Sequence, residues 1–140
     1  MSEIETSSSK EKIKEKAASI LKDEDNILFA YLYGSIATDR FTEDSDIDIG
    51  IYCSEKEYDS LYPERLSSKL EKGFDREVDV RILNDRNLIF LHQVLKNGEL
   101  LFTKDERKRV EFETDVYDRY LDMKYYFDQY NEIRKKRVTS

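Results

Sequence analysis

The sequence contains few of the residues that form disulfides or zinc sites. It has one cysteine, Cys53, and one histidine, His92. A single cysteine cannot form a disulfide within the chain, and no cysteine cluster is available to hold zinc. Cys53 lies at the end of a predicted strand, and we interpret it as a packing residue. His92 lies in the apolar run LIFLHQVL, where a structural role is more common than a catalytic one.

The sequence also lacks an excess of positive charge and any long apolar run. It has 24 Lys and Arg residues against 31 Asp and Glu residues, for a net charge of −7. This balance disfavours direct nucleic-acid binding and suits a basic protein partner. No apolar run approaches the roughly 20 residues of a membrane span, and the opening MSEIETSSSKEK lacks the apolar core of a signal peptide. We therefore expect a cytoplasmic protein that does not bind membranes.

The hydrophobic pattern predicts one domain, spanning residues 1–140, in which helices and strands alternate. Residues 1–7 are polar and expected to be disordered, and Ser8 with Glu11 forms a capping box that starts a first helix. Apolar or alternating runs predict strands at 26–33, 46–52, 76–83 and 99–103. Further helices are predicted within 54–74, at 85–96 and at 104–135. In the first of these, Pro63 indicates either two helical pieces or a late helix start with the proline in a first turn, and Gly73 is the expected stop. This order favours a sheet of three to four strands flanked by helices, of the α+β or α/β kind.

The predicted C-terminal helix carries an apolar stripe at spacings of four and three residues. The stripe comprises Phe112, Val116, Tyr120, Met123, Phe127 and Tyr130. Core packing is the more common explanation of such a stripe. However, Tyr117, Tyr125 and Tyr126 lie off the stripe, and a helix with more tyrosines than one face can bury suits a protein interface, where tyrosine is enriched.

Three aspartates stand among β-branched residues on predicted strands. Asp46 and Asp48 in DIDIGIY alternate with isoleucines, so both point to one face of the strand, with Cα atoms roughly 6.5–7 Å apart. Two bare carboxylates at this separation repel each other, and a divalent cation removes that conflict. Asp79 in EVDVRI has an equivalent setting. If the two strands are neighbours, the three acids gather on one face and form a site for magnesium, or for a pair of metal ions.

A Gly-Ser pair, Gly34-Ser35, follows directly on the first predicted strand. Glycine lets backbone amides approach a ligand closely, amides at a helix start attract phosphate, and the serine hydroxyl can donate a hydrogen bond to a phosphate oxygen. Phosphate and metal sites on adjacent strand ends are what a nucleoside triphosphate requires. Taken singly, Gly-Ser could be an ordinary turn, and Asp-x-Asp could be the solvent face of a strand.

Ten residues, Ile36 to Ser45, separate the Gly-Ser pair from Asp46-x-Asp48. This arrangement, with the apolar strand before it and EVDV after it, resembles the signature of the DNA polymerase β-like nucleotidyltransferase superfamily. Together with FLHQVLKNGELLF and the tyrosine-rich helix that follows, it is similar to the minimal nucleotidyltransferase (MNT) antitoxins of HEPN/MNT toxin–antitoxin pairs. The resemblance covers roughly residues 10–135.

The resemblance implies a mixed-sheet nucleotidyltransferase core and a set of site residues. Asp46, Asp48 and Asp79 would be both the catalytic residues and the ligands of Mg²⁺. Nucleotide binding would fall to Gly34, Ser35, Ser45 and Arg40. The implied activity is transfer of AMP from ATP to a tyrosine of a cognate HEPN ribonuclease toxin, which silences the toxin in a hetero-oligomer.

One stretch departs from the family pattern. Many members have Arg-Gly four and five residues after the motif glycine, whereas this chain has Thr38 and Asp39, followed by Arg40. Two alternatives to the transferase interpretation stay open. The chain could neutralise a toxin by binding alone, or it could modify a small molecule, although little of the chain is left over to form an acceptor pocket.

Overall fold

The computed structural model describes residues 3–37, 45–54 and 59–139. Four helices lie in these ranges: α1 Glu3–Lys22, α2 Tyr62–Phe74, α3 Leu88–Asn97 and α4 Glu106–Thr139. Four strands alternate with them: β1 Ile27–Tyr33, β2 Ile47–Cys53, β3 Val78–Ile82 and β4 Glu99–Thr103. A short 3₁₀ helix, Gly34–Ala37, follows β1 directly.

The strands form one mixed sheet in the order β3-β2-β1-β4. β1 pairs antiparallel with both β2 and β4, whereas β2 and β3 are parallel and are joined through α2, since a parallel connection needs a crossover. The predicted α+β fold, with a small mixed sheet flanked by helices and a long C-terminal helix, is confirmed.

Helices cover both faces of the sheet. Side chains of α1 and α2 pack on one face, against the isoleucines of β2 and the valines of β3. Side chains of α3 and the first half of α4 pack on the other face, against Phe29 and Tyr31 of β1. β1 is therefore apolar on both faces, as its near-continuous hydrophobic run predicted.

Several helix ends differ from their predicted positions. α1 begins at Glu3, before the predicted start at Ser8, and so includes most of the segment expected to be disordered. A capping box is a local signal, and an existing helix can extend past it at little cost. α2 begins at Tyr62, so Pro63 lies in its first turn, but the helix continues through Gly73 to Phe74 and is followed by Asp75, which has left-handed backbone angles.

The α4 helix has two different halves. Val116 is 1% exposed in the core, whereas Phe127 is 62% exposed and Tyr130 is 63% exposed. The predicted stripe thus packs on the domain only in the first half of the helix. Beyond it, the exposed large side chains fit the interface interpretation better than core packing. Among the described residues, no helix is both long enough and apolar enough to cross a membrane.

Candidate active site

The sheet brings the ends of β1, β2 and β3 together at one edge. Because β1 and β2 are antiparallel, Tyr33 at the end of β1 pairs with Asp48 near the start of β2. Because β2 and β3 are parallel and in register, Asp48 lies beside Asp79. Asp46 directly precedes β2, and the two-residue spacing places it on the same face as Asp48. The predicted convergence of the two acidic strands with the Gly-Ser turn is therefore present.

Asp48 is the half-buried member of this group, whereas Asp46 and Asp79 are exposed. Burial, followed by the charges of Asp79 and then Asp46, raises the pKa of Asp48 above its usual value, while the charge of Arg81 lowers it. This is the pattern expected where like charges share a face in partial isolation from water.

Gly34 lies directly against Asp48. Its backbone has φ +80°, a left-handed conformation that side-chain-bearing residues rarely adopt. A Cβ atom at this position would overlap Asp48 Oδ2 and lie 3.1 Å from Asp48 Cγ. Glycine is thus required both by the turn and by the close approach of the turn backbone to the carboxylate.

Asp79 is engaged by a basic neighbour. Arg81 Nε donates a hydrogen bond to Asp79 Oδ2 at 2.9 Å. Within residues 3–37, 45–54 and 59–139, no three His, Cys, Asp or Glu side chains lie close enough together to hold a metal ion. The strand register therefore makes Asp48 and Asp79 neighbours without gathering all three carboxylates around one point.

The donor set nevertheless suits a hard divalent cation. Asp46 and Asp48 offer carboxylate oxygens, which Mg²⁺ prefers. A bound cation would offset both the burial of Asp48 and the neighbouring negative charges, which together raise its pKa. Asp79 could join them after leaving Arg81.

Tyr33 adds a buried hydroxyl to this edge. Its oxygen has no hydrogen-bond partner among the described residues. Burial, with smaller effects of Asp48 and Asp79, raises the pKa of Tyr33 to about 12, against opposing charges on Arg81 and Arg86. The Tyr33 ring meets the Phe90 ring edge-on, with centroids 5.7 Å apart.

The predicted nucleotide-binding residues are only partly described. Gly34 and Ser35 lie in the 3₁₀ helix, and Gly34 is the one that lies against Asp48. Ser45 directly precedes Asp46, and its carbonyl oxygen accepts a hydrogen bond from Arg76 Nη1 at 3.4 Å. Arg40, with Thr38 and Asp39, lies outside the described residues.

Sequence reasoning missed Arg81, Tyr33 and Phe90 as members of this site. The signal for Arg81 was available: it lies two residues after Asp79, so strand alternation places both on one face. Phe90 could not be placed from the sequence, because its position depends on how α3 packs over β1. His92, interpreted as structural, stacks on Tyr120 of α4, with ring centroids 3.5 Å apart.

Comparison with known proteins adds a family and a fold. The family described as "Polymerase beta, Nucleotidyltransferase" matches residues 15–107, a range that includes β1 to β4 and all three aspartates. Among curated proteins, none matches this chain.

The similar solved structures include chains from toxin–antitoxin complexes. A toxin–antitoxin complex with AMP-PNP has a chain 23% identical to this one, with a TM-score of 0.70, covering 80% of this chain and 90% of that chain. The complex of a tri-AMPylated Shewanella oneidensis HEPN toxin with an MNT antitoxin gives 21% identity, a TM-score of 0.67, and coverage of 83% and 90%. The MntA–HepT toxin–antitoxin complex gives 22%, 0.66, and coverage of 82% and 90%. At these identities the likeness establishes the fold.

Proposed function

Because this chain belongs to the polymerase beta nucleotidyltransferase family, we propose that it is a magnesium-dependent adenylyltransferase and an antitoxin. It transfers AMP from ATP to a tyrosine of a cognate HEPN ribonuclease toxin in the cytoplasm and thereby neutralises the toxin. The observation that carries the proposal is the contact of Gly34 with Asp48, beside an Asp79 in register on the next strand.

The proposed reaction gives each site residue a separate task. The tyrosine oxygen of the acceptor attacks the α-phosphorus of ATP and forms a new P–O bond, while the bond to the bridging oxygen breaks and pyrophosphate leaves. Asp79 accepts the hydroxyl proton, and Asp46, Asp48 and Asp79 would hold the cation. Gly34 and Ser35 offer backbone and hydroxyl donors to the phosphates. Bound Mg²⁺ would neutralise charge that develops on the phosphate oxygens.

The second half of α4 supports a protein acceptor. We call five exposed large side chains between residues 121 and 130 of α4 the distal α4 surface: Leu121, Tyr125, Tyr126, Phe127 and Tyr130. This short helical segment exposes five large apolar and aromatic side chains, and tyrosine is enriched at protein interfaces. Chains of similar fold occur in complexes with toxins, one of them a tri-AMPylated HEPN toxin.

A labelling experiment tests the transferase proposal. The purified chain is incubated with Mg²⁺, ATP labelled at the α-phosphate, and the protein encoded by the adjacent gene. We expect label on the partner and a mass increase of one or more AMP units, located on tyrosine by peptide mapping. Asp46→Asn should abolish transfer and leave the fold intact, because it removes a metal ligand and a repulsive charge. An unlabelled partner of unchanged mass would overturn the proposal.

A second function, neutralisation by binding alone, is favoured by one observation. The described residues contain no group of three acids assembled for a metal, while the distal α4 surface is exposed for docking. The same Asp46→Asn variant separates the two functions in cells that express the toxin. If the variant protects as well as the unmodified chain, binding suffices. If protection is lost while the complex still forms, transfer is required.

A further inference from the structure

We propose that Arg81 holds Asp79 away from the metal in the nucleotide-free protein and moves to a phosphate of the nucleotide when it binds. The third carboxylate would then become a metal ligand only when the nucleotide is present. Arg81 is thus a positioning residue for Asp79 and a phosphate-binding residue. This inference rests on the proposed function, because it concerns the same nucleotide site.

The geometry places Arg81 between two possible anionic partners. Two-residue spacing on β3 puts its side chain on the face of Asp79, and its Nε contacts Asp79 Oδ2 at 2.9 Å. Asp79 is paired in register with Asp48 on β2, so a guanidinium held by Asp79 lies on the same face of the sheet as both carboxylates. A cation bound by Asp48 and Asp79 together would therefore have to displace this positive charge.

Phe90 gives the guanidinium a fixed support. Arg81 Cζ lies 5.6 Å from the centroid of the Phe90 ring, within the range of a cation–π contact. Phe90 lies in the first turn of α3, and Asn87 Oδ1 accepts hydrogen bonds there from the backbone N–H of Ile89 at 2.8 Å and of Phe90 at 3.4 Å. Arg81 can rotate away from Asp79 while its planar group stays on this ring.

The contact between Arg81 and Asp79 is weak enough to exchange. The two side chains are 50% and 49% exposed. Breaking an exposed ion pair changes an equilibrium constant by about fivefold at most. A triphosphate carries several negative charges and accepts paired hydrogen bonds from guanidinium, which are stronger than a single contact. The nucleotide is therefore the better partner for Arg81, and its binding frees Asp79.

The first test measures Mn²⁺ binding without nucleotide, by calorimetry. Arg81→Gln should bind Mn²⁺ roughly two- to fivefold more tightly than the unmodified chain, because the competing contact is gone. Arg86→Gln is the matched control. It removes the same charge near the site, but Arg86 Nε donates to the carbonyl oxygen of Ile82 at 2.9 Å. An equal gain in Arg86→Gln would overturn the proposal, since general electrostatics would then explain the effect.

A double-mutant cycle isolates the contact between Arg81 and Asp79. In an Asp79→Asn background, Arg81→Gln should tighten Mn²⁺ binding less than it does in the unmodified chain, because the carboxylate that it released is absent. A gain as large as in the unmodified background would contradict the proposed contact. Arg81→Lys keeps the positive charge without the planar guanidinium group, and its affinity for Mn²⁺ should be close to that of the unmodified chain. Circular dichroism spectra establish that each variant is folded.

The second test measures a non-hydrolysable ATP analogue in the presence of Mg²⁺. Arg81→Gln should weaken analogue binding at least tenfold, opposite in sign to its effect on Mn²⁺ alone, whereas Arg86→Gln should weaken it less. Unchanged analogue affinity in Arg81→Gln would overturn the phosphate role. Neither measurement needs a protein acceptor. Absence of AMP transfer with these opposite effects intact would therefore overturn the proposed function and leave the role of Arg81 standing.

Discussion

Replacing Gly34 by alanine should both destabilise the fold and damage the candidate active site. The left-handed backbone at φ +80° costs an alanine roughly 1–2 kcal/mol. The new Cβ would also overlap Asp48 Oδ2, and pushing that side chain off its rotamer costs about 1 kcal/mol more. We expect Gly34→Ala to lower the free energy of unfolding by about 2–3 kcal/mol.

The same substitution should have a larger effect on AMP transfer than on stability. The overlap displaces the carboxylate that we assign to the metal, and a displacement of about 1 Å at a reacting centre can cost on the order of 100-fold in rate. Transfer is measured with ATP labelled at the α-phosphate, and stability is measured by urea denaturation followed by circular dichroism.

Gly73→Ala is the matched control for Gly34→Ala. Gly73 lies within α2, and its added Cβ would lie 3.2 Å from Lys16 Cε, in a long, adaptable side chain. Alanine favours a helix over glycine by about 1 kcal/mol, so this variant should be as stable as the unmodified chain or slightly more so, with unchanged transfer. If Gly34→Ala matched this control in both measurements, the close contact of Gly34 with Asp48 would be refuted as a requirement of the site.

Two further predictions concern α4 and Asp48. Val116→Ala should lower the free energy of unfolding by about 1–3 kcal/mol, because it empties a core position. Phe127→Ala, at an exposed position, should change it by no more than about 0.5 kcal/mol; similar losses in urea melts of both variants would contradict the two halves assigned to α4. Because burial and the charges of Asp79 and Asp46 raise the folded pKa of Asp48, the protonated carboxyl contributes stability at low pH that is lost as the pH rises through the folded pKa. Asp48→Asn should therefore be more stable than the unmodified chain at pH 7 in the presence of a chelator, and this advantage should disappear near pH 3; an advantage that grew on acidification would show that the pKa shift has the opposite sign.

The strands and the acidic pair could be read from the sequence because their signals are local. Isoleucines alternating with Asp46 and Asp48 specify one buried face of β2, and the same period in EVDVRI specifies β3. That β2 and β3 are neighbours could only be assumed from the sequence, because strand order depends on how distant segments pack. The structure supplies it through the register of Asp48 with Asp79.

The contact that the sequence reasoning did not foresee is the pairing of Asp79 with Arg81. The alternation in EVDVRI is enough to place both residues on one face, but the sequence analysis considered only Asp79 and treated it as a free ligand. Whether a carboxylate on a strand face meets a cation or a basic neighbour depends on side-chain rotamers and on supports such as Phe90, which come from α3. The period of the strand specifies the face on which a side chain lies, and it does not specify its partner on that face.

The central position of β1 also has a consequence for how the chain folds. β1 is seven residues, ILFAYLY, without a charge or a proline, a composition that is prone to edge-to-edge aggregation when unpaired. Its partner on one side, β2, follows closely in the sequence, but β4 on the other side begins only at Glu99. During synthesis one edge of β1 therefore stays open until about 65 further residues have emerged. β4 thus pairs with the open edge of β1 only late in synthesis. Changes that weaken β4 should therefore reduce the yield of folded protein before they affect the chemistry at Asp46, Asp48 and Asp79.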